Sequence, residues 1–306
     1  LRNKQLAALK TSLLDKKKIR FIINPVAGTK SKASLPRLIE QSLDSRHFQS
    51  EIITSMHVGH ASALAEEAVE EGYYAVVAVG GDGTMNEVAR ALMHTKVHLG
   101  IVPFGSGNGL ARHLGIPMQA GKAIELLNHA KPLRMDACTI DGSPYFCTSG
   151  VGFDAQIGYC FAETTRRGLS SYAKITLREF ASYRPQKYKV QAEGRNMAEV
   201  EAFMITCANA SQYGNNAYIA PQADVSDGLM DVCIMHPFPL WALPLIAYRI
   251  FTKSAHLLPW WSSIRCAEAV IYRDTPGVVH LDGEPGTAGE HISFKVVPSV
   301  LTVLAP

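Results

Sequence analysis

The residues with the clearest chemical potential are Val79-Gly80-Gly81-Asp82-Gly83-Thr84-Met85-Asn86-Glu87. They follow the apolar run Ala75-Val76-Val77-Ala78, which predicts a buried strand, and precede Val88, Ala89, Leu92 and Met93, whose spacing predicts a helix face. A strand that runs through glycines into a helix N-terminus is a phosphate-binding geometry. Backbone N–H groups can approach an anion there, and the helix dipole favours its charge. Asp82 adds a carboxylate to that turn. A bare phosphate cradle has no use for it unless a metal or a proton transfer is involved.

The elements that must position this stretch alternate. Ile19–Ile23 predicts a strand ending at Asn24-Pro25-Val26-Ala27-Gly28, and a helix follows around Leu35, Leu38, Ile39 and Leu43. Glu51–Thr54 predicts a second strand, followed by a helix from Ala61 to Glu71. The strand before Gly80 is the third. Leu99–Pro103 is the fourth, leading into Gly105-Ser106-Gly107-Asn108-Gly109, a helix from Leu110 and another over Ala120–Asn128. Such alternation implies a parallel sheet with helices on its faces. Ligands of these sheets bind beyond the carboxyl ends of the strands, where all three glycine-containing loops fall.

After about Asp136 strand patterns dominate: Met135–Ile140, Tyr145–Thr148, Tyr188–Ala192, Ala202–Ala208, Met230–Met235, Ala269–Tyr272, Val278–Asp282 and Ile292–Val297. Helices are expected over Tyr172–Tyr183 and Leu240–Lys253. The expected organisation is an α/β domain over residues 1–136 and a mainly antiparallel β-sandwich over 137–306, its last residues returning to the first domain. The site is expected in the cleft between them.

Composition narrows the class. Hydrophobic residues make up 47% and charged residues 19%, so the chain is globular. Its 30 Lys and Arg against 27 Asp and Glu give +3, too small an excess to argue for nucleic acid. The six cysteines form no C-x-x-C pair and have no zinc spacing, and are expected as reduced, buried thiols in a cytoplasmic protein. The chain opens on Leu1 instead of Met, which suggests further residues upstream, and no signal-peptide core is visible.

Common nucleotide motifs are absent: there is no G-x-x-x-x-G-K-[ST], no G-x-G-x-x-G and no protein-kinase set. Gly80–Glu87 instead resembles the signature shared by the diacylglycerol kinase, sphingosine kinase and NAD kinase superfamily. The resemblance extends to Asn24-Pro25-x-x-Gly28, Thr54 with Gly59-His60-Ala61, and Pro103-x-Gly105-Ser106-Gly107-Asn108. It continues through Gly150–Ala155, Ala220-Pro221-x-Ala223, Ser226–Asp231 and Leu281-Asp282-Gly283-Glu284, in order, from about residue 19 to the C-terminus.

The resemblance implies an ATP- and Mg²⁺-dependent lipid kinase, acting on a diacylglycerol-like or sphingoid- or ceramide-like hydroxyl. By motif position the nucleotide contacts Asn24, Pro25, Val26, Ala27 and Gly28, Thr54, Gly81, Asp82, Gly83, Thr84, Met85, Asn86 and Glu87, and Ser106. It assigns a structural Mg²⁺ to the Asp227 carboxylate and the backbone oxygens of Asp224 and Leu229, donors that suit a hard cation. Asp282-Gly283 is also a hairpin-turn signal. Glu284 is by resemblance the general base, an alcohol being a poor nucleophile until its proton is accepted, with Asp82 as the alternative. Asp82 and Asp136 join an acidic network near the γ-phosphate.

One position departs from bacterial diacylglycerol kinases, which typically carry Asp after the Asn of the third loop; here it is Gly109, as in sphingosine and ceramide kinases. Asp154 lies where sphingoid kinases place a headgroup carboxylate, or is a turn-capping Asp. The apolar Phe238–Phe251 segment, with Leu257, Leu258, Trp260 and Trp261, is too short and broken to span a bilayer. It reads as a helix covering the sandwich or as an interfacial patch, and Arg166-Arg167 as headgroup contacts or a solvated turn. Peripheral membrane association is expected, no nucleic-acid partner and no transmembrane span, and a homodimer is compatible. The alternatives are an NAD kinase-like enzyme with a soluble substrate and a noncatalytic lipid-binding module.

Overall fold

The structure, a computed structural model, describes residues 16–28, 31–162, 176, 178–180, 182–194 and 199–306. Arg166 and Arg167, and half of the helix expected over Tyr172–Tyr183, lie outside these residues. The chain forms two compact units. The first holds the described residues up to Gly105, Leu114–Leu133 and Leu301–Pro306; the second holds Ser106–His113 and Arg134–Val300.

In the first unit, β1 (Lys17–Ile23), α1 (Leu35–Ser42), β2 (Phe48–Thr54), α2 (His60–Glu70), β3 (Ala75–Gly80), α3 (Asp82–Leu92) and β4 (His98–Pro103) alternate. The short α4 (Gly109–His113) lies in the second unit, and α5 (Ala120–Leu126) returns to the first. The strands are parallel in the order β2-β1-β3-β4. All six residues of β3 are buried, as its uninterrupted apolar run requires of a strand covered on both faces. Register aligns Ile23 with Thr54 and with Val79, and Gly80 with Pro103, so the carboxyl ends of all four strands share one edge.

Arg20 interrupts the apolar β1 and is 2% exposed. A buried charge must be paired. Its Nε donates to Glu51 Oε2 at 2.6 Å, its Nη1 to Glu67 Oε2 at 2.9 Å and to the Leu64 carbonyl at 3.0 Å, and its Nη2 to Glu71 Oε2 at 3.4 Å. Tyr73 packs its ring 4.7 Å away and donates its hydroxyl to Glu51. One guanidinium thereby ties β1 to β2 and α2.

The second unit contains β5 (Lys131–Ile140, entering from the first unit), β6 (Ser143–Tyr145), β7 (Thr148–Gly152), α6 (Phe153–Ala162), β8 (Gln186–Ala192), β9 (Glu199–Ala202), β10 (Met204–Ala208) and β11 (Met230–Met235). Then follow α7 (Leu243–Phe251), β12 (Trp261–Cys266), β13 (Glu268–Tyr272), β14 (Gly277–Leu281), β15 (Glu284–Ala288) and β16 (His291–Ala305). One antiparallel sheet runs β12-β11-β10-β7-β14-β15; the other places β16, β13, β8 and β9 side by side, with β5 on β16. Val151, Ile205 and Val232 of one sheet meet Val190, Ile271 and Phe294 of the other in a shared core, a β-sandwich. The outer face of the first sheet is covered by α6 and α7 through Phe153, Ile157, Ala242 and Ile246.

Several boundaries differ from the sequence pattern. The strand expected over Tyr145–Thr148 is two strands, broken where Phe146 and Cys147 turn their N–H groups to the Asp282 carboxylate. Ala202–Ala208 is likewise divided at Phe203, whose N–H and carbonyl pair with Met235 and Phe153. The strands β12 and β15 carried no alternating apolar pattern to announce them. Among the described residues no helix is long and apolar enough to cross a membrane, and no cysteine is in a disulfide.

Replacing Arg20 with methionine is expected to lower stability in urea unfolding by about 3 kcal/mol, the lower end for breaking a buried pair because the three glutamates are half-exposed. A loss within about 0.5 kcal/mol, the scale of an ordinary surface substitution, would show that the network does not hold the sheet to α2.

Candidate active site

In the first unit the glycine-containing loops meet at the shared carboxyl edge. Asn24 donates its backbone N–H to the Val79 carbonyl at 3.1 Å and its side-chain Nδ2 to Thr84 Oγ1 at 2.9 Å, while its Oδ1 accepts the Val26 N–H at 3.1 Å. Asn24 thus shapes its own loop and joins it to the next. Phe104 and Gly105 both donate to the Gly80 carbonyl, at 2.7 and 3.2 Å. Gly28 adopts φ +65°, and a Cβ there would stand 1.9 Å from the Phe104 carbonyl oxygen. Only glycine permits this approach of the first loop to the third.

Gly81 is the extended N-cap of α3 and Asp82 its first helical residue. The carboxylate therefore stands on the first turn of the helix and not in the preceding loop. The first intrahelical bond is Met85 N–H to the Gly81 carbonyl. The first turn of a helix offers N–H groups without intrahelical acceptors, at the positive end of the dipole. Not every expected nucleotide residue points its side chain the same way. Met85 is buried, Asn86 accepts from Arg90 at 2.7 Å, and Glu87 accepts the Ala61 N–H at the start of α2 at 3.1 Å. Pro25, Val26 and Thr54 are exposed at the strand ends, as is Ser106, the first residue of the third loop assigned to the second unit.

Lys32 carried no motif and was not anticipated. Its ammonium folds back onto the Ala27 carbonyl and lies 3.4 Å from that of Pro25 and 5.2 Å from the Phe104 ring centroid. Burial pushes its pKa down. The signal that could have found it is a pair of basic residues, Lys30 and Lys32, just beyond a glycine-terminated loop.

In the second unit Asp136 is 1% exposed and organises the 225–228 loop. Its Oδ2 accepts the Gly228 N–H at 2.7 Å, its Oδ1 accepts the Ser299 N–H at 2.6 Å, and its own N–H donates to the Val225 carbonyl at 2.7 Å. Both oxygens are thus engaged by backbone. Asp224 accepts from the Ser226 N–H and hydroxyl, which hold its carboxyl below the usual range. Asp227 accepts the Leu229 N–H at 2.9 Å and pairs its other oxygen with the Arg265 guanidinium. Arg265 also lies 3.8 Å from Asp231, whose carboxyl burial pushes up. Among the described residues no group of three His, Cys, Asp or Glu is placed to hold a metal. The set that the resemblance gives to a cation is of another kind, one carboxylate and two backbone oxygens: the Asp227 carboxylate is paired here with Arg265, and the carbonyls of Asp224 and Leu229 are donors that suit a hard cation.

The β14–β15 hairpin carries Glu284. Its two-residue turn has φ +49° at Asp282 and +85° at Gly283, the pattern that Asp-Gly favours. Asp282 Oδ2 accepts the Phe146 N–H at 2.8 Å, and Oδ1 accepts those of Cys147 and Thr148 at 2.7 and 3.0 Å. The Asp282 N–H returns a bond to the Thr148 carbonyl at 2.8 Å. Glu284, the first residue of β15, is exposed beside this anchored turn. The turn reading and the functional reading of Asp282-Gly283-Glu284 are thus compatible.

Asp154, on the first turn of α6, is deeply engaged. Its Oδ2 accepts from Thr206 at 2.7 Å, Tyr213 at 2.9 Å and His280 Nε2 at 3.2 Å, and its Oδ1 accepts the Ala155 N–H at 2.8 Å. Gly109 has a packing reason. A Cβ there would lie 3.2 and 3.3 Å from the carbonyl oxygens of Gln212 and Tyr213, and an aspartate would bring its charge against them.

Comparisons with known proteins find matches along most of the chain. Residues 18–140 match the diacylglycerol kinase catalytic domain, and residues 148–305 match the YegS C-terminal NAD kinase beta sandwich-like domain. A "probable lipid kinase YegS-like" protein of Pseudomonas aeruginosa strain PAO1 is 30% identical over 81% of this chain and 82% of its own length. Its counterpart in Chromohalobacter salexigens is 29% identical over 81% of each chain. The crystal structure of a diacylglycerol kinase from Bacillus anthracis strain Sterne superposes with a TM-score of 0.73 at 18% identity, covering 95% of this chain and 97% of that one. An NAD kinase from Archaeoglobus fulgidus in complex with ATP gives 0.52 at 12% identity over 94% and 93%.

Replacing Asp282 with alanine is expected to cost about 1–3 kcal/mol, since three N–H groups lose their shared acceptor, and to speed hydrogen exchange at Phe146–Thr148. Unchanged exchange there would show that the carboxylate does not anchor the turn.

Proposed function

We propose that this chain, which belongs to the YegS-like lipid kinase family and carries its diacylglycerol kinase catalytic domain, transfers the γ-phosphate of ATP to the hydroxyl of a membrane lipid. The observation that carries the reading is the convergence of the Asn24–Gly28, Gly80–Thr84 and Phe104–Gly105 segments on the N-terminus of α3. Backbone N–H groups there suit phosphate oxygens, and Lys32 adds positive charge. ATP enters with Mg²⁺ as counter-ion of its phosphates, and a structural cation on Asp227 with the backbone oxygens of Asp224 and Leu229 belongs to the same proposal. In the reaction the lipid oxygen attacks the γ-phosphorus, a new O–P bond forms, and the bond to the bridging oxygen breaks to release ADP. Glu284 accepts the hydroxyl proton, a role its exposure beside a fixed turn supports; Asp82 is the alternative base.

The acceptor we favour is a diacylglycerol-type lipid. Reading a sphingoid ammonium would call for a carboxylate with spare accepting capacity. Asp154 already receives four donors from the chain itself. Close packing of Gly109 against Gln212 and Tyr213 offers a reason for that departure that does not involve the acceptor. The second reading, a soluble-substrate kinase, draws on the fold likeness to an NAD kinase at a TM-score of 0.52, which concerns the fold alone. A noncatalytic lipid-binding module would turn over no ATP.

Purified protein given radiolabelled MgATP and, in parallel, diacylglycerol, ceramide, a sphingoid base or NAD is expected to label diacylglycerol most. No labelled lipid would overturn the reading, and label in NAD would select the second. Glu284→Gln is expected to lower kcat by about 10²–10⁴ while ATP binding is retained. Full turnover in that variant would move the base to Asp82.

A further inference from the structure

We infer that the outward face of α7 and the turns flanking it form the surface by which this protein docks on an anionic lipid bilayer. The inference rests on the lipid-kinase reading only in that a bilayer is where such a substrate resides.

Apart from Arg249 on its last turn, the helix is apolar. Ala242, just before it, and Ile246 are buried against the sandwich. Leu245, Tyr248 and Phe251, three residues apart, are 39, 62 and 58% exposed. Spacing of three along a helix keeps side chains on one side. Leu240 and Trp241, each 72% exposed, precede the helix, and Leu257, 58% exposed, follows it. Half of the exposed large apolar side chains among the described residues fall within residues 240–257. A helix this apolar belongs largely in a protein core or in lipid, and this one has only one side in the core.

Charge commits the face to one occupant. From Val232 to Ala267 the sequence has no Asp or Glu, while Arg249, Lys253 and Arg265 fall within it. Arg249 lies on the last turn of α7 and Lys253 just beyond it, so cations border the apolar side chains. Lys253 adopts φ +58° and stands 4.5 Å over the Tyr218 ring. Trp241 packs edge-on against Trp260 at 5.7 Å, which gives the exposed indole a fixed neighbour. Aromatic rings flanked by basic residues, in a stretch of sequence without acids, suit the headgroup level of a membrane with anionic lipids. A second copy of this chain would bring the same cations against each other, which disfavours self-association through this face.

The test is vesicle flotation without ATP, with phosphatidylcholine vesicles and with phosphatidylcholine–phosphatidylglycerol vesicles. Wild-type protein is expected to float with the anionic vesicles, less so as salt rises. A Trp241→Glu and Phe251→Glu double variant is expected to bind them about tenfold more weakly or worse, as loss of two inserted aromatics implies. Turnover on a short-chain, monomeric diacylglycerol should be unchanged in that variant, and its circular dichroism and melting temperature should match wild type. The inference is overturned if the double variant floats like wild type, or if wild type does not float. It is also overturned if wild type sediments as a dimer that the double variant dissolves, since a second copy then covers the face. Flotation needs no catalysis, so failure to phosphorylate any lipid would fall on the kinase reading and leave the docking result to stand separately.

Discussion

The structure depends most on one carboxylate used as an acceptor for backbone. Asp282 takes the N–H groups of Phe146, Cys147 and Thr148 while holding a left-handed conformation. Phe146 and Cys147 form the break between β6 and β7 and Thr148 begins β7, so the carboxylate serves amides at a point where the sheet is interrupted, and an unsatisfied amide is costly. The same contact sets the β14–β15 turn, and so the place from which Glu284 leaves it. Asp136 repeats the device in the same unit, fastening the 225–228 loop to the middle of β16 through Gly228 and Ser299. Acidic residues that the motifs presented as a shared metal centre thus act in good part as ties between distant stretches of backbone.

The phosphate end is built differently. Its parts are main-chain groups brought close by glycine, with Asn24 and Thr84 bridging two loops through their side chains. Main-chain donors fixed before the ligand arrives lose little freedom on binding. The half-buried Arg20 partners hold β1, β2 and α2 in the register that keeps Ile23, Thr54 and Val79 at one edge. A change at Arg20 would therefore be felt at loops it does not touch.

Much of this was legible in the residue order. Continuous apolar runs locate β1, β3 and β4, and period-3.6 patterns locate α2 and α3, within a few residues, because these strands are covered on both faces and each helix buries one. Glycine positions announce the loops, since Gly28 must tolerate both a left-handed φ and the carbonyl of Phe104. What stayed hidden depended on partners far away in sequence. The break at Phe146–Cys147 follows from a carboxylate more than a hundred residues later. Asp154 looks the same in sequence whether it faces solvent or receives Thr206, Tyr213 and His280. The Arg265 pairing with Asp227 joins a loop to a strand that lacked an alternating pattern. Residues 240–257 read equally as a core helix or a surface patch, because an apolar residue type does not say which side is covered.

The central claim is that the N-terminus of α3 receives the phosphates of ATP. A crystal structure with Mg²⁺ and a non-hydrolysable ATP analogue tests it most directly. Phosphate oxygens within hydrogen-bonding distance of the backbone N–H groups of Asp82, Gly83 or Thr84 are the predicted result. A nucleotide bound elsewhere, with those amides left to solvent, would contradict it.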